Sequence, residues 1–180
     1  MGRFTVRSRS RNNYIVLAYH VDTYVILVEA FQSHQDRHRL AAAKHIMYRL
    51  HKLGHTVDLH ILDNECRKAY KLQIKSKWGA KFQLATPDLH CRNTTEWAIH
   101  NFKANFLPIL AGVSESSSNF LWDQLLHQTE LTLNLLRKSN IYPSMSAWEH
   151  YHGPFNYNTT SIGTMGFPVI THNNPTTRKS

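Results

Sequence analysis

Two runs of β-branched and aromatic residues lie on either side of a polar break. They are residues 14–19 (YIVLAY) and 24–31 (YVILVEAF), with His20, Asp22 and Thr23 between them. Each run suits a strand, and the break between them reads as a turn, so an antiparallel hairpin is expected. A hairpin alone is marginal in water, so later elements must cover it. The next segment does this: residues 38–53 place Leu40, Ala43, Met47 and Leu50 at helical spacing, and Gly54 is a natural stop.

The rest alternates. Residues 56–62 predict a third strand, 66–78 a second helix closed by Gly79, and 81–84 a short strand, with Pro87 in a loop. Residues 94–107 predict a helix with Ala98, Phe102 and Phe106 on one face, which Pro108 should end or kink because proline has no amide proton. Residues 116–119 offer an N-cap to a long helix over 121–138, with Trp122, Leu125, Thr129, Leu133 and Leu136 along one side. Residues 146–151 predict a short helix. Beyond Gly153 the chain turns polar and reads as an extended tail, with a candidate strand at 168–172. There is no internal repeat. The order strand, strand, helix, strand, helix, strand, helix, helix is α/β, with a crossover helix after the hairpin.

At 180 residues the chain suits one domain with a real core. Lys and Arg number 21 against 12 acids, a net charge of +9. That excess favours a polyanionic partner, nucleic acid before an acidic membrane, over a basic surface with no role. Two cysteines, Cys66 and Cys91, make neither a disulfide framework nor a cysteine-rich zinc site and suit a reducing compartment. His34/His38 and His51/His55 have i,i+4 spacing, but no further ligand follows at a finger-like spacing, so solvated helix-face histidines are expected. The most apolar stretch, 14–31, is interrupted by His20, Asp22 and Glu29, so no membrane partner is expected. The N-terminal MGRFTVRSRSRNN is rich in Arg and Ser but has no amphipathic apolar face to serve as a presequence. Val6 breaks the myristoylation pattern.

The third strand runs into Asp63, Asn64 and Glu65, where α/β chemistry gathers, at a strand's carboxyl end. Glu96 follows near the start of a helix. Phosphoryl transfer with two metals needs several converging carboxylates, and Mg²⁺ takes oxygen ligands. Glu96, His100 and Lys103 stand at i, i+4 and i+7, so they share one helix face. On spacing alone the plainer reading stands ahead: loop acids and a solvated helix face with an ordinary ion pair.

Five stretches carry a likeness: GRFTVRSRSRNNYIVLAYHVDTYVILVEAF, LDNE, RNTTEWAIHNFK, WDQLLHQTELTLNLLR and SAWEHYHGPFNYN. In order and spacing the chain resembles the integrase catalytic core of Copia-type retrotransposon polyproteins, within the ribonuclease H-like superfamily. The resemblance implies a mixed sheet flanked by helices over residues 1–153, its first, central strand largely missing. Residues 154–180 would lead toward a downstream domain. It implies DNA strand transfer by an Asp, Asp, Glu triad holding Mg²⁺ or Mn²⁺, a DNA partner, homo-oligomers and a nuclear location. Asp63 matches the second Asp and Glu96 the Glu, both as metal ligands. Lys103 matches a DNA-facing basic position, and His100 shares its face. Glu65 is then a flanking residue.

The family's first Asp would lie just before Gly2, so the resemblance predicts an incomplete triad and lost activity. Asp22 falls in a turn and is not its equivalent. Thr95 and Trp97 stand where small and basic neighbours of the Glu are usual, and Cys91 where a basic residue is common. Residues 3–7 are the candidates to fill the first strand, although Arg3, Arg7 and Arg9 suit a buried strand poorly. Two alternatives stand beside this: a non-catalytic DNA-binding module using the basic face, and an unrelated α/β domain such as an RNA-associated protein.

Overall fold

The computed structural model describes residues 2–62, 68–85, 94–113, 119–160 and 162–163. The expected hairpin forms: β2 (Tyr14–Tyr19) pairs antiparallel with β3 (Ile26–Phe31), Tyr14 opposite Phe31 and Tyr19 opposite Ile26. β3 starts two residues later than the hydropathy suggests because Tyr24 takes a left-handed φ of 60°, which ends the turn and stacks its ring on Tyr19. Thr23, fully buried, closes that turn by accepting from the Val25 amide at 3.2 Å and bonding His20 Nδ1 at 3.0 Å.

β1 (Gly2–Arg3) pairs antiparallel with β2, Gly2 opposite Ile15 and Arg3 opposite Tyr14. It is two residues long, so residues 3–7 do not form the strand they were candidates for. The arginines explain why. Arg3, Arg7, Arg9 and Arg11 are all exposed, while Phe4 turns inward and stacks on Trp122 at 3.9 Å. The segment is then tied down by polar contacts. Trp122 Nε1 donates to the Val6 carbonyl at 2.9 Å, and Asp123 accepts from Ser8 Oγ at 2.7 Å and Asn12 Nδ2 at 3.0 Å.

α1 (Asp36–Lys52) buries Ala42, Ala43, Ile46, Met47 and Leu50, close to the expected stripe, and Gly54 supplies a left-handed φ of 82° beyond its end. Neither histidine pair lies within this helix: His34 precedes it and His55 follows it. His55 bonds the Tyr151 carbonyl at 2.9 Å and has His20 at 5.5 Å and His150 at 6.3 Å, so it is a tether between elements and not a solvated side chain.

β4 (Leu59–Leu62) and β5 (Lys81–Leu84) form a parallel pair, Leu59 opposite Lys81 and Leu62 opposite Leu84. Among the described residues this pair is not hydrogen-bonded to the antiparallel sheet. Between the two strands, the helix expected over 66–78 is α2 (Lys68–Gln73) followed by a π-helical turn (Ile74–Trp78). Gly79, at φ 62°, closes it. The wide turn puts Ile74 fully inside with Leu62 and Ala80 in a small separate core.

α3 (Thr94–Ala111) runs through Pro108, which was expected to end or kink it. Pro108 costs the helix one amide, yet its own carbonyl still accepts from Gly112 at 2.8 Å. α4 (Trp122–Leu136) follows a 3₁₀ turn (Asn119–Leu121), with Leu121 at its N-cap position and no side-chain cap bond there; the Asn119 side chain of the N-cap expected at 116–119 lies outside what the structure describes. Residues 116–118 lie outside the described residues. α5 (Ala147–His152) starts as its sequence predicts, with the Ser146 hydroxyl accepting from the Glu149 amide at 3.0 Å. The expected strand at 168–172, Cys66 and Cys91 also lie outside the described residues.

α4 carries more than an apolar face. Glu130 and Asn134 are buried beside Leu126 and Leu133 and reach the outer edge of β3. Asn134 accepts from the Ile26 amide at 2.9 Å and donates to the Ile26 carbonyl at 2.8 Å. Glu130 accepts from the Val28 amide at 2.8 Å and from the Arg49 guanidinium. Arg49 also binds Glu29 at 3.0 Å. A helix thereby satisfies the backbone of an edge strand that another chain would otherwise pair with. Burial opposes the charge of Arg49, but the Glu130 carboxylate beside it wins and holds its pKa above the ordinary value. Burial pushes the Glu130 carboxyl up, while Arg49 and the Val28 amide pull it back.

Candidate metal and nucleic-acid site

α3 is positioned by its buried face. Ala98, Phe102 and Phe106 enter the main core with Ile15, Val28, Trp122, Leu125 and Leu126. The rings of Phe102 and Phe106 stack at 5.6 Å, and Phe4 meets Phe106 edge-on at 5.7 Å. This burial fixes the helix's rotation, and the opposite face must therefore look outward. Glu96, His100 and Lys103 are all exposed on it, as their spacing predicts. Glu96 sits in the first turn, where the helix dipole favours an anion.

The second expected ligand is located only up to its neighbour. β4 ends at Leu62, whose carbonyl accepts from the Ala85 amide at 2.8 Å, so the strand delivers the chain directly into Asp63. Asp63 and Glu65 lie outside the described residues. Asp22 lies in the exposed turn after β2, where its carbonyl accepts from the Ile141 amide at 3.3 Å, as suits a turn residue. Among the described residues no cluster of three or more His, Cys, Asp or Glu side chains is arranged to hold a metal ion. Glu96 brings what hard cations need: a carboxylate oxygen donor at a wet surface, where an ion retains its waters.

Next to Glu96, Trp97 belongs to a stack that sequence spacing did not disclose. The Arg137 guanidinium lies 4.7 Å from the Trp97 ring and 5.5 Å from the Tyr19 ring, and Tyr19 meets Trp97 edge-on at 6.2 Å. Burial lowers the pKa of Arg137, with Tyr19 opposing, and burial raises that of Tyr19, with Arg137 opposing. The stack joins the end of β2, the start of α3 and the end of α4. Its three members are too far apart in sequence for any spacing rule. The polar row of α4 was more accessible: Asp123, Glu130 and Asn134 recur at i, i+7 and i+11, interrupting the stripe of a helix that otherwise reads as plain core.

No protein-family model and no curated protein matches the chain. Solved structures do. A chain of the simian T-cell lymphotropic virus intasome in complex with PP2A regulatory subunit B56 gamma superposes with a TM-score of 0.61 at 12% identity, over 97% of this chain and 57% of that one. The catalytic core domain of BIV integrase superposes with a TM-score of 0.54 at 12% identity, over 76% of this chain and 84% of that one. The chain spans little more than half the length of the first. At this identity the likeness is one of fold. The architecture is α/β with the fold of an integrase catalytic core, and no helix among the described residues is long and apolar enough to cross a membrane.

Proposed function

We propose that this chain is a Copia-type integrase-like core that binds DNA across the exposed face of α3 and holds Mg²⁺ or Mn²⁺ between Asp63 and Glu96. One observation carries this. Within the fold of an integrase core, the helix that resembles the family's glutamate helix turns Glu96, His100 and Lys103 outward together and buries its other face. The five resembling stretches support the same assignment.

Asp63 and Glu96 would supply carboxylate oxygens, the hard donors such ions take. The ion's contribution would be Lewis-acid polarisation of a phosphodiester. Lys103 and His100 would seat the flanking phosphates, and the net charge of +9 would draw the polyanion to that face. Asp63 and Glu96 are two of the three carboxylates that the resemblance implies, and DNA and metal binding are the properties expected of them. Self-association and a nuclear location are part of the same proposal.

The second reading is a non-catalytic nucleic-acid-binding module. The exposure of Arg3, Arg7, Arg9 and Arg11 favours it, because they add positive charge to a segment other than α3. Titrating the chain onto duplex DNA at several salt concentrations, with and without Mn²⁺, tests both. Affinity that falls steeply with salt and rises with Mn²⁺ in a Glu96-dependent way supports the metal-binding core. The same salt dependence without a metal effect supports the module. Salt-insensitive binding contradicts both.

A further inference from the structure

We propose that Trp97 is a stacking platform for an unpaired nucleobase of single-stranded DNA held at the N-terminal end of α3. This rests on the nucleic-acid-binding reading above and adds to it a ligand contact outside the carboxylates. Trp97 remains 51% exposed on a helix whose other large aromatic residues, Phe102 and Phe106, are buried, and Trp122 is 2% exposed. An exposed indole is not by itself a site. Here, however, the ring is held in place. Arg137 lies 4.7 Å away and Tyr19 meets the ring edge-on. Arg137 is itself anchored, since its carbonyl accepts from the Ala147 amide at 2.7 Å. Asn101 binds the Trp97 carbonyl at 2.9 Å.

A ring already fixed by its neighbours loses little freedom when a second ring stacks on it. A cation stands beside it: the Arg137 guanidinium adds positive charge against the indole, and Lys103 is exposed about two turns further along the helix, on the face it shares with Glu96. An aromatic ring beside cations is the arrangement that binds single strands without reading sequence, because every base offers a π face. A base inside a duplex hides that face, so the ligand is an unpaired strand.

The test is fluorescence anisotropy of a labelled oligo-dT strand titrated with the full chain over a range of salt. Trp97→Ala should weaken binding about tenfold, the size expected for one base stack, and leave the slope of log affinity against log salt unchanged. Trp97→Phe, which keeps a ring, should stay within about threefold of the parent. Lys103→Ala should instead flatten the slope by about 0.7, the single-strand value for one phosphate contact. The proposal is overturned if Trp97→Ala binds like the parent, or if its deficit disappears at high salt. A parent chain that binds no DNA overturns this proposal together with the reading beneath it. Equal melting temperatures for the parent and Trp97→Phe secure the comparison, since the conservative variant keeps the Arg137 contact.

Discussion

The antiparallel half of the molecule and the parallel half are built differently. In the first, β3 is buried along most of its length, α1 and α4 enclose it, and its outer edge is closed by Asn134 and Glu130. In the second, β4 and β5 rest on a core of three buried residues, Leu62, Ile74 and Ala80, and leave Leu59, Ile61 and Leu84 exposed. Stability is concentrated in one half. Of the two proposed ligands, Glu96 stands on a helix locked into the large core, and Asp63 follows Leu62, the last residue of β4, in the sequence.

The sharpest way to break the comparison is Glu130→Ala. It leaves the half-buried Arg49 with only Glu29 and the buried Val28 amide unpaired, and should cost about 3–5 kcal/mol in denaturant unfolding. A loss below about 1 kcal/mol would show that the β3 edge does not depend on α4. Asn134→Leu keeps the branched heavy-atom skeleton and strands both polar groups of Ile26, at a cost of about 2–3 kcal/mol by the same measurement. Ile74→Ala should separate the halves. Its cost is expected in hydrogen exchange, as faster exchange across Leu59–Leu62, with the global unfolding midpoint moved much less. Equal acceleration in β2 and β3 would mean the two sheets unfold as one unit.

Charge gives smaller effects. Burial lowers the pKa of His20 below the ordinary 6.5, with His55 and His150 adding to the effect and Asp22 opposing it. The unfolded chain therefore takes up a proton first as pH falls, so stability present above pH 6.5 is lost progressively below it. His20→Gln should flatten the fall in melting temperature between neutral pH and pH 5.5, and an unchanged profile would remove His20 from the account. Lys103→Ala, fully on the outward face, should leave stability within about 0.5 kcal/mol of the parent, because nothing in the core depends on it.

Most of the fold was legible because periodicity reports burial. The 14–31 hairpin, the stripe of α1, the outward face of α3 and the short helix expected over 146–151 all follow from residue spacing. Three features were not. Tyr24 adopts a left-handed conformation that its β propensity opposes, so the hairpin turn is longer than its sequence suggests. The helix through Pro108 survives because packing by Phe102 and Phe106 outweighs one lost backbone bond. The long-range polar ties, Asp123 to Ser8 and Asn12, Glu130 to Arg49 and Val28, and Asn134 to Ile26, join positions that no local rule connects. They also give a physical reason for two of the resembling stretches, since WDQLLHQTELTLNLLR holds down GRFTVRSRSRNN. At the site, spacing gave the shared face of Glu96, His100 and Lys103 but could not show that Trp97 would be braced by Arg137.

The central claim is that Asp63 and Glu96 still form a metal site. A thermal melt of the chain with and without millimolar Mn²⁺, repeated on Glu96→Gln, tests it most directly. A ligand that binds only the folded state raises the transition, by about 2.7 kcal/mol at a hundred times its dissociation constant. The account predicts a cooperative transition that rises with Mn²⁺ in the parent and does not move in Glu96→Gln. A transition that ignores the metal, or that rises equally in both proteins, would contradict it.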